Sequence, residues 1–197
     1  MNRLKESILG GMAIGLGCIA YVSVENKYLG ALLFSIGLLT ICSRQWGLFT
    51  GKLCKSNNIR DIVSTWVLNL VGIVVMVCTY MLSVSDYSAV EKIATLKLNR
   101  PLLDVLFSGF LCEICIYIAV MGFFAYNISC VVKLTLAVMI FILCGFEHCV
   151  ADMFYIWFSP LTLHTLLFIL TVTCGNILGA VCMRVLEYKH EQEIQDS

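Results

Sequence analysis

Apolar residues fall in six blocks, near residues 7–24, 28–55, 60–84, 101–126, 128–158 and 161–187, with short polar connections between them. Each block matches or exceeds the ~17–25 residues with which an α-helix crosses a bilayer. The pattern predicts an all-α membrane protein with six transmembrane helices in one domain, 1–197. Two blocks are interrupted. In the second, Ser43-Arg44-Gln45-Trp46-Gly47 follows an apolar helix and leads into Leu48-Phe49-Thr50-Gly51-Lys52. In the fifth, Gly145-Phe146-Glu147-His148 and then Asp152 stand in otherwise apolar sequence. Backbone that leaves the helix at membrane depth is tolerated only where protein buries it or where it lines a watery cavity, because unpaired amides are costly in hydrocarbon. Broken helices two and five therefore predict a lined pathway.

The breaks occupy matching places. Each is followed by a span carrying Asn-x-x-Gly, first Asn69-Leu70-Val71-Gly72 and then Asn176-Ile177-Leu178-Gly179. Spans one to three and four to six run in opposite directions through the membrane, so the match predicts an inverted repeat with the substrate route between its halves.

Composition narrows the class. The chain is 60% apolar and 13% charged, with a mean hydropathy of +0.92, against about 25% charge in an ordinary soluble domain. The formal net charge is zero, so nothing recommends nucleic acid as a partner. The expected partners are the lipid bilayer and a small solute, and no enzymatic role is expected. With the N-terminus inside, the inner loops hold Arg3, Lys5, Lys52, Lys55, Arg60, Lys133, Arg184 and Lys189, and the outer ones Lys27, Lys92, Lys97 and Arg100. This excess places both termini in the cytoplasm of a multi-pass cell-membrane protein. Arg3 and Lys5 ahead of an apolar run also suit a signal peptide, but further spans follow and no cleavage signal ends it, so a retained helix is expected.

Residues 83–100 read as an outer amphipathic segment with Ala89, Ile93 and Leu96 on one side and a structural role. Residues 187–197 read as a charged cytoplasmic tail. Asn127-Ile128-Ser129 matches a glycosylation acceptor but falls on the inner side. Gly51-Lys52 lacks the upstream glycine of a P-loop. Most of the eleven cysteines lie inside the spans, where Cys packs as a small apolar residue. Cys112 and Cys115 form a CxxC whose sulfurs share a helix face, but no second pair supplies further ligands, so neither metal nor cofactor is expected.

Ionisable residues inside a membrane cost about 2.5–3.5 kcal/mol each at a helix centre and point to function. Here they are Arg44, Glu113, Glu147, His148 and Asp152. If the helix resumes directly after Gly145, His148 and Asp152 are four apart and share a face.

Leu48-Phe49-Thr50, the run Gly145-Phe146-Glu147-His148-Cys149-Val150-Ala151-Asp152-Met153, and Gly175-Asn176-Ile177-Leu178-Gly179 resemble the three signatures of the formate/nitrite transporter family. Their order matches too, and the resemblance covers essentially the whole of a chain that is short for that family. It implies an aquaporin-like fold and a homopentamer with one pore per protomer. The implied cargo is a small anion or weak acid such as formate, nitrite, hydrosulfide, acetate or lactate. It further implies that Thr50 faces His148 in the pore, that Asn176 holds the histidine by hydrogen bonding, and that Leu38, Phe49 and Phe141 form apolar constrictions. Glu147 is expected to satisfy backbone amides at the break.

Three departures from the family pattern stand out. Asp152 and Glu113 replace asparagines, and the family's lysine at the start of span five has no aligned equivalent, Lys133 lying a few residues further on. Added carboxylates near an anion path oppose entry unless protonated. The expected mechanism has the anion enter by a lysine-bearing vestibule, lose water at Leu38 or Phe141, and meet Thr50 and His148, where a proton is supplied. A channel for neutral small solutes and an intramembrane thiol-redox protein using Cys112 and Cys115 are the alternatives.

Overall fold

The computed structural model describes residues 2–124 and 129–195. These form α1 (Asn2–Val22), α2 (Lys27–Arg44), α3 (Phe49–Lys55), α4 (Ile59–Ser83), α5 (Ser88–Leu98), α6 (Leu102–Phe124), α7 (Cys130–Leu143), α8 (Cys149–Tyr155) and α9 (Leu163–Gln195), with a 3-10 turn at Ile156–Phe158 before α9. Among the described residues there is no strand. The second and fifth predicted spans are each two helices, as the polar interruptions required. Asn127 and Ile128 of the glycosylation motif, and the last residues of the predicted fourth span, lie outside the described residues.

Among the described residues five helices are long and apolar enough to cross a membrane: Arg3–Val22, Lys27–Arg44, Ile59–Ser83, Leu102–Phe124 and Leu163–Tyr188. The remaining crossing is composite. With 14 residues, α7 rises only about 21 Å, short of the ~30 Å hydrocarbon core, and α8 completes the passage. At most 50% of any of the five stretches is buried within the chain. Rows such as Leu29, Leu32, Leu33 and Ile36 on α2 therefore stay exposed, a surface suited to lipid or to further protein.

The helix ends follow local chemistry. Asn26 caps α2 by accepting from the amides of Tyr28 and Leu29 at 3.0 and 3.1 Å, and Asn58 caps α4 by accepting from Asp61 N–H at 3.2 Å. Two glycine-lined crossings build the halves. A Cβ on Gly72 would sit 2.1 Å from the Ile8 carbonyl oxygen, so α1 and α4 meet backbone to backbone; one on Gly175 would sit 2.3 Å from the Leu106 carbonyl oxygen, joining α6 and α9 in the same way. Small residues at such crossings let membrane helices approach closely.

The predicted face of α5 needs correction. Val90 and Ala94 are buried and Ile93 and Lys97 partly so, whereas Ala89 and Leu96 are exposed. The buried stripe at positions 90, 94 and 97 follows helical periodicity and turns Lys97 toward α8.

Candidate functional site

Each break solves the same problem, the release of backbone groups from a helix inside a buried region. In the first, Gln45 takes a left-handed φ of 55° and Trp46 N–H returns to the Ile41 carbonyl at 2.9 Å. Asn69 bridges the rest, accepting from Phe49 N–H at 2.8 Å and donating to the carbonyls of Gly47 and Ser7 at 2.9 and 2.7 Å. In the second, Gly145 takes φ 69° and Phe146 N–H returns to the Phe141 carbonyl at 2.9 Å. Asn176 accepts from Cys149 N–H at 3.0 Å and donates to the carbonyls of Glu147 and Gly109 at 3.1 and 2.8 Å. Asn176 thus holds His148 by hydrogen bonds to the backbone on both sides of it, not to the imidazole.

His148 stands just before α8 with extended backbone and caps it, Nδ1 accepting from Ala151 N–H at 3.2 Å. The helix resumes at Cys149, so His148 and Asp152 do not share a helical face as expected. An acceptor at Nδ1 places the proton of the neutral ring on Nε2, which lies 3.0 Å from Thr50 Oγ1. The two residues are thereby brought together from opposite halves, Thr50 fully buried and His148 only 3% exposed.

Apolar side chains pack on both sides of this contact. On the α5 side Phe141 stacks on the imidazole at 6.0 Å between centroids, and Phe34 meets Phe141 edge-on at 5.8 Å. On the α3 side Leu38 and Leu48 line the neighbouring cavity, with Phe49 buried beside them. Phe34 and Leu48, which sequence reasoning did not single out, pack beside them. Phe34 lies one turn before Leu38 on the same stripe of α2, a signal that was available.

Beyond Phe141 lies a cavity of about 290 Å³ whose wall carries Lys97, Arg100, Glu147 and Asp152. Lys97 Nζ lies 2.8 Å from Asp152 Oδ1 and also contacts Glu147 Oε2, while Arg100 contacts Glu147 Oε1 at 2.6 Å and the Gly145 carbonyl at 2.9 Å. Burial alone would lower the Lys97 pKa, yet the carboxylates of Asp152 and Glu147 hold it above the ordinary lysine value. Glu147 therefore pairs with cations instead of satisfying amides at the break. The cations come from α5 and the residues just after it, a segment expected to be only structural, whereas Lys133 is exposed on α7.

On the other side lies a cavity of about 450 Å³ lined by residues including Gln45, Lys52, Lys55, Asp61 and Phe124. Lys52 pairs with Asp61 at 2.7 Å. Glu113 is buried on α6 against α3, one oxygen accepting from Cys54 Sγ at 3.5 Å and the other without a hydrogen-bond partner in the structure. Arg44 is exposed at the end of α2 and takes no part. Cys112 and Cys115 are buried free thiols, and the described residues hold no cluster of His, Cys, Asp and Glu able to bind a metal.

Comparison with known proteins identifies the fold and the family. The fold is that of a pentameric formate channel solved with formate bound, at 23% identity and a TM-score of 0.88 over 97% of this chain and 96% of that one. A second solved structure, an FNT family ion channel, gives 25% identity and a TM-score of 0.84 over 96% and 90%. A formate channel, FocA, of Haemophilus influenzae is 26% identical over 168 residues, 80% of this chain and 55% of that protein. This chain thus spans just over half the length of that curated relative. The family model for formate/nitrite transporters matches residues 1–189, and the chain belongs to the formate/nitrite transporter family.

Proposed function

We propose that the six spans form one channel unit over residues 1–197 of the cell membrane, both termini cytoplasmic, passing a small monovalent anion of the formate or nitrite kind or its conjugate acid. The observation that carries this reading is the 3.0 Å contact between His148 Nε2 and Thr50 Oγ1, formed where two helix breaks meet between two cavities. Asn176 and Glu147 position the histidine-bearing break, Leu38, Phe49 and Phe141 exclude water, and Glu113 and Asp152 tune the surroundings. A homopentamer with one pore per copy is supported by the pentameric assembly of the matched channel and by the exposed apolar rows.

Energetics favour a proton-linked course. An unpaired anion in an apolar constriction costs many kcal/mol. Protonating an acid of pKa near ~4 at pH 7 costs only about 4 kcal/mol. Passage of the neutral acid past Phe141 and Leu38 is the cheaper route, with pore water supplying the proton and His148, a neutral ring with Nδ1 held by Ala151 N–H, hydrogen bonding to the passing solute through Nε2–H. The charge-balanced cluster of Lys97, Arg100, Glu147 and Asp152 also suits a second reading, a channel for neutral small solutes.

Stopped-flow uptake by proteoliposomes tests both. Formate, nitrite or hydrosulfide flux is expected to rise with an inward proton gradient, and His148→Ala to lower it by roughly 100-fold, the scale of a lost hydrogen-bond donor aimed at a charge in a dry site. Wild-type flux and pH dependence in that variant would refute the role of His148. Solute flux indifferent to the pH difference would select the neutral-solute reading.

A further inference from the structure

We infer that the two mouths of the pathway are electrically unequal, and that Lys55 makes the α3-side mouth the one that collects small monovalent anions; this rests on the pore reading above. On the α5 side Lys97 and Arg100 face Glu147 and Asp152 in direct contact, so the formal charges cancel. On the α3 side the cavity wall carries Lys52, Lys55 and Asp61. Lys52 is committed to Asp61 at 2.7 Å.

Lys55 is not committed. Its Nζ sits over the Phe124 ring, 2.9 Å from the centroid, and among the described residues no carboxylate pairs with it. Nearby charges are occupied elsewhere. Arg184 donates to the carbonyls of Leu53 and Ser56 and contacts Asn57 Oδ1, and the Glu187 carboxylate accepts from Tyr117 Oη. Glu113 is buried behind Cys54 and does not line this cavity, so one positive charge is left over on its wall.

That charge is close to the pathway. Lys55 ends the helix that begins beside Thr50, five residues on, or about 7.5 Å along the axis. This is within the ~8 Å reach of an unscreened charge at physiological salt. An ammonium on an aromatic face is partly stripped of water, so it offers a small carboxylate or nitrite a resting place before the Leu38 and Leu48 closure. The α5 mouth offers no counterpart, because each of its cations already touches an anion.

A passive pore turns this into a kinetic asymmetry of a particular kind. With equal pH and no voltage, flux at low concentration is the same from both faces, so the ratio of limiting rate to half-saturating concentration is also the same. The collecting mouth must then saturate at lower concentration and turn over proportionally more slowly.

The test is zero-trans uptake of labelled formate by full-length protein in proteoliposomes sorted by orientation. Because α9 ends on the α3 side, an added C-terminal epitope marks that face. Half-saturation is expected roughly fivefold lower when the α3 mouth faces the formate, the effect of one half-exposed charge. Lys55→Gln is expected to erase the difference and Lys55→Arg to keep it. Raising ionic strength with an impermeant salt is expected to shrink the difference in the wild type, with no variant needed. Equal half-saturation from both faces in the wild type, or a difference that survives both Lys55→Gln and high salt, would overturn the inference while leaving the pore intact. Absence of any wild-type flux would instead refute the pore reading itself.

Discussion

The break between α2 and α3 and the break between α7 and α8 are closed by the same moves: a left-handed residue, an amide returned to the preceding helix, and an asparagine that accepts one N–H and donates to two carbonyls. The side chains differ. Leu48 precedes α3 where His148 precedes α8, and Gly47, pressed against Ser7, stands where Glu147 reaches two cations. One half thus contributes an apolar stopper and a hydroxyl, and the other an imidazole with a charged surround. The backbone frame is held by asparagine and glycine, which frees the intervening positions to carry different chemistry on a common scaffold.

The comparison is broken most sharply at the asparagines. Asn69→Leu and Asn176→Leu each remove three hydrogen bonds and strand buried backbone groups, an expected loss of about 3–5 kcal/mol in either half. Thermal unfolding in detergent measures it, and a large loss in one half alone would end the symmetry of the frame. Next comes the charged surround, which the first break lacks. Lys97→Met leaves Asp152 and part of Glu147 buried without a cation, costing about 2–3 kcal/mol after allowance for the exposed part of the pair. Adding Asp152→Asn should recover part of that loss.

The pH dependence of that interaction has a definite sign. Because the Lys97 pKa is held above its ordinary value by the two carboxylates, its contribution is complete below about pH 10.4, the ordinary lysine value, and is lost only as pH rises beyond that through the folded value. Comparing wild type with Lys97→Met, the difference in unfolding midpoint should stay flat between about pH 6 and 9.

Smaller effects test the crossings and turns. Gly72→Ala and Gly175→Ala drive a methyl into a facing carbonyl, each costing about 1–3 kcal/mol and lowering the midpoint similarly. Smallest are the left-handed positions, where the halves should respond with opposite sign. Gly145→Ala should lose about 1 kcal/mol, whereas Gln45→Gly should gain up to about 1 kcal/mol by relieving the strained φ.

Much of this architecture was legible in the sequence because hydrophobic length and polar interruption act locally. Ser43 to Gly47 and Gly145 to His148 announced the breaks, and the paired Asn-x-x-Gly runs announced the repeat. The pairing of Thr50 with His148 came from resemblance to a family, since nothing in local spacing joins residues from opposite halves. What stayed hidden were bonds set by tertiary distance. Lys97 and Arg100 lie far from Glu147 in sequence and reach it only because α5 folds back over α8. The grip of Asn176 on backbone instead of imidazole depended on where the helix restarts, and that was fixed by His148 acting as its cap.

The amide of Ala151, by occupying Nδ1, decides what kind of guest the centre of the molecule can greet. The ring can give a hydrogen there and has no lone pair left to take one, and Thr50, whose oxygen already receives Nε2–H, has its own hydroxyl hydrogen to spare. A species that brings only hydrogens, such as ammonium, meets two rivals at this point, whereas one rich in lone pairs meets two hosts. A single peptide group three residues along the chain thereby leaves hydrogens, and no imidazole lone pair, on offer at this point.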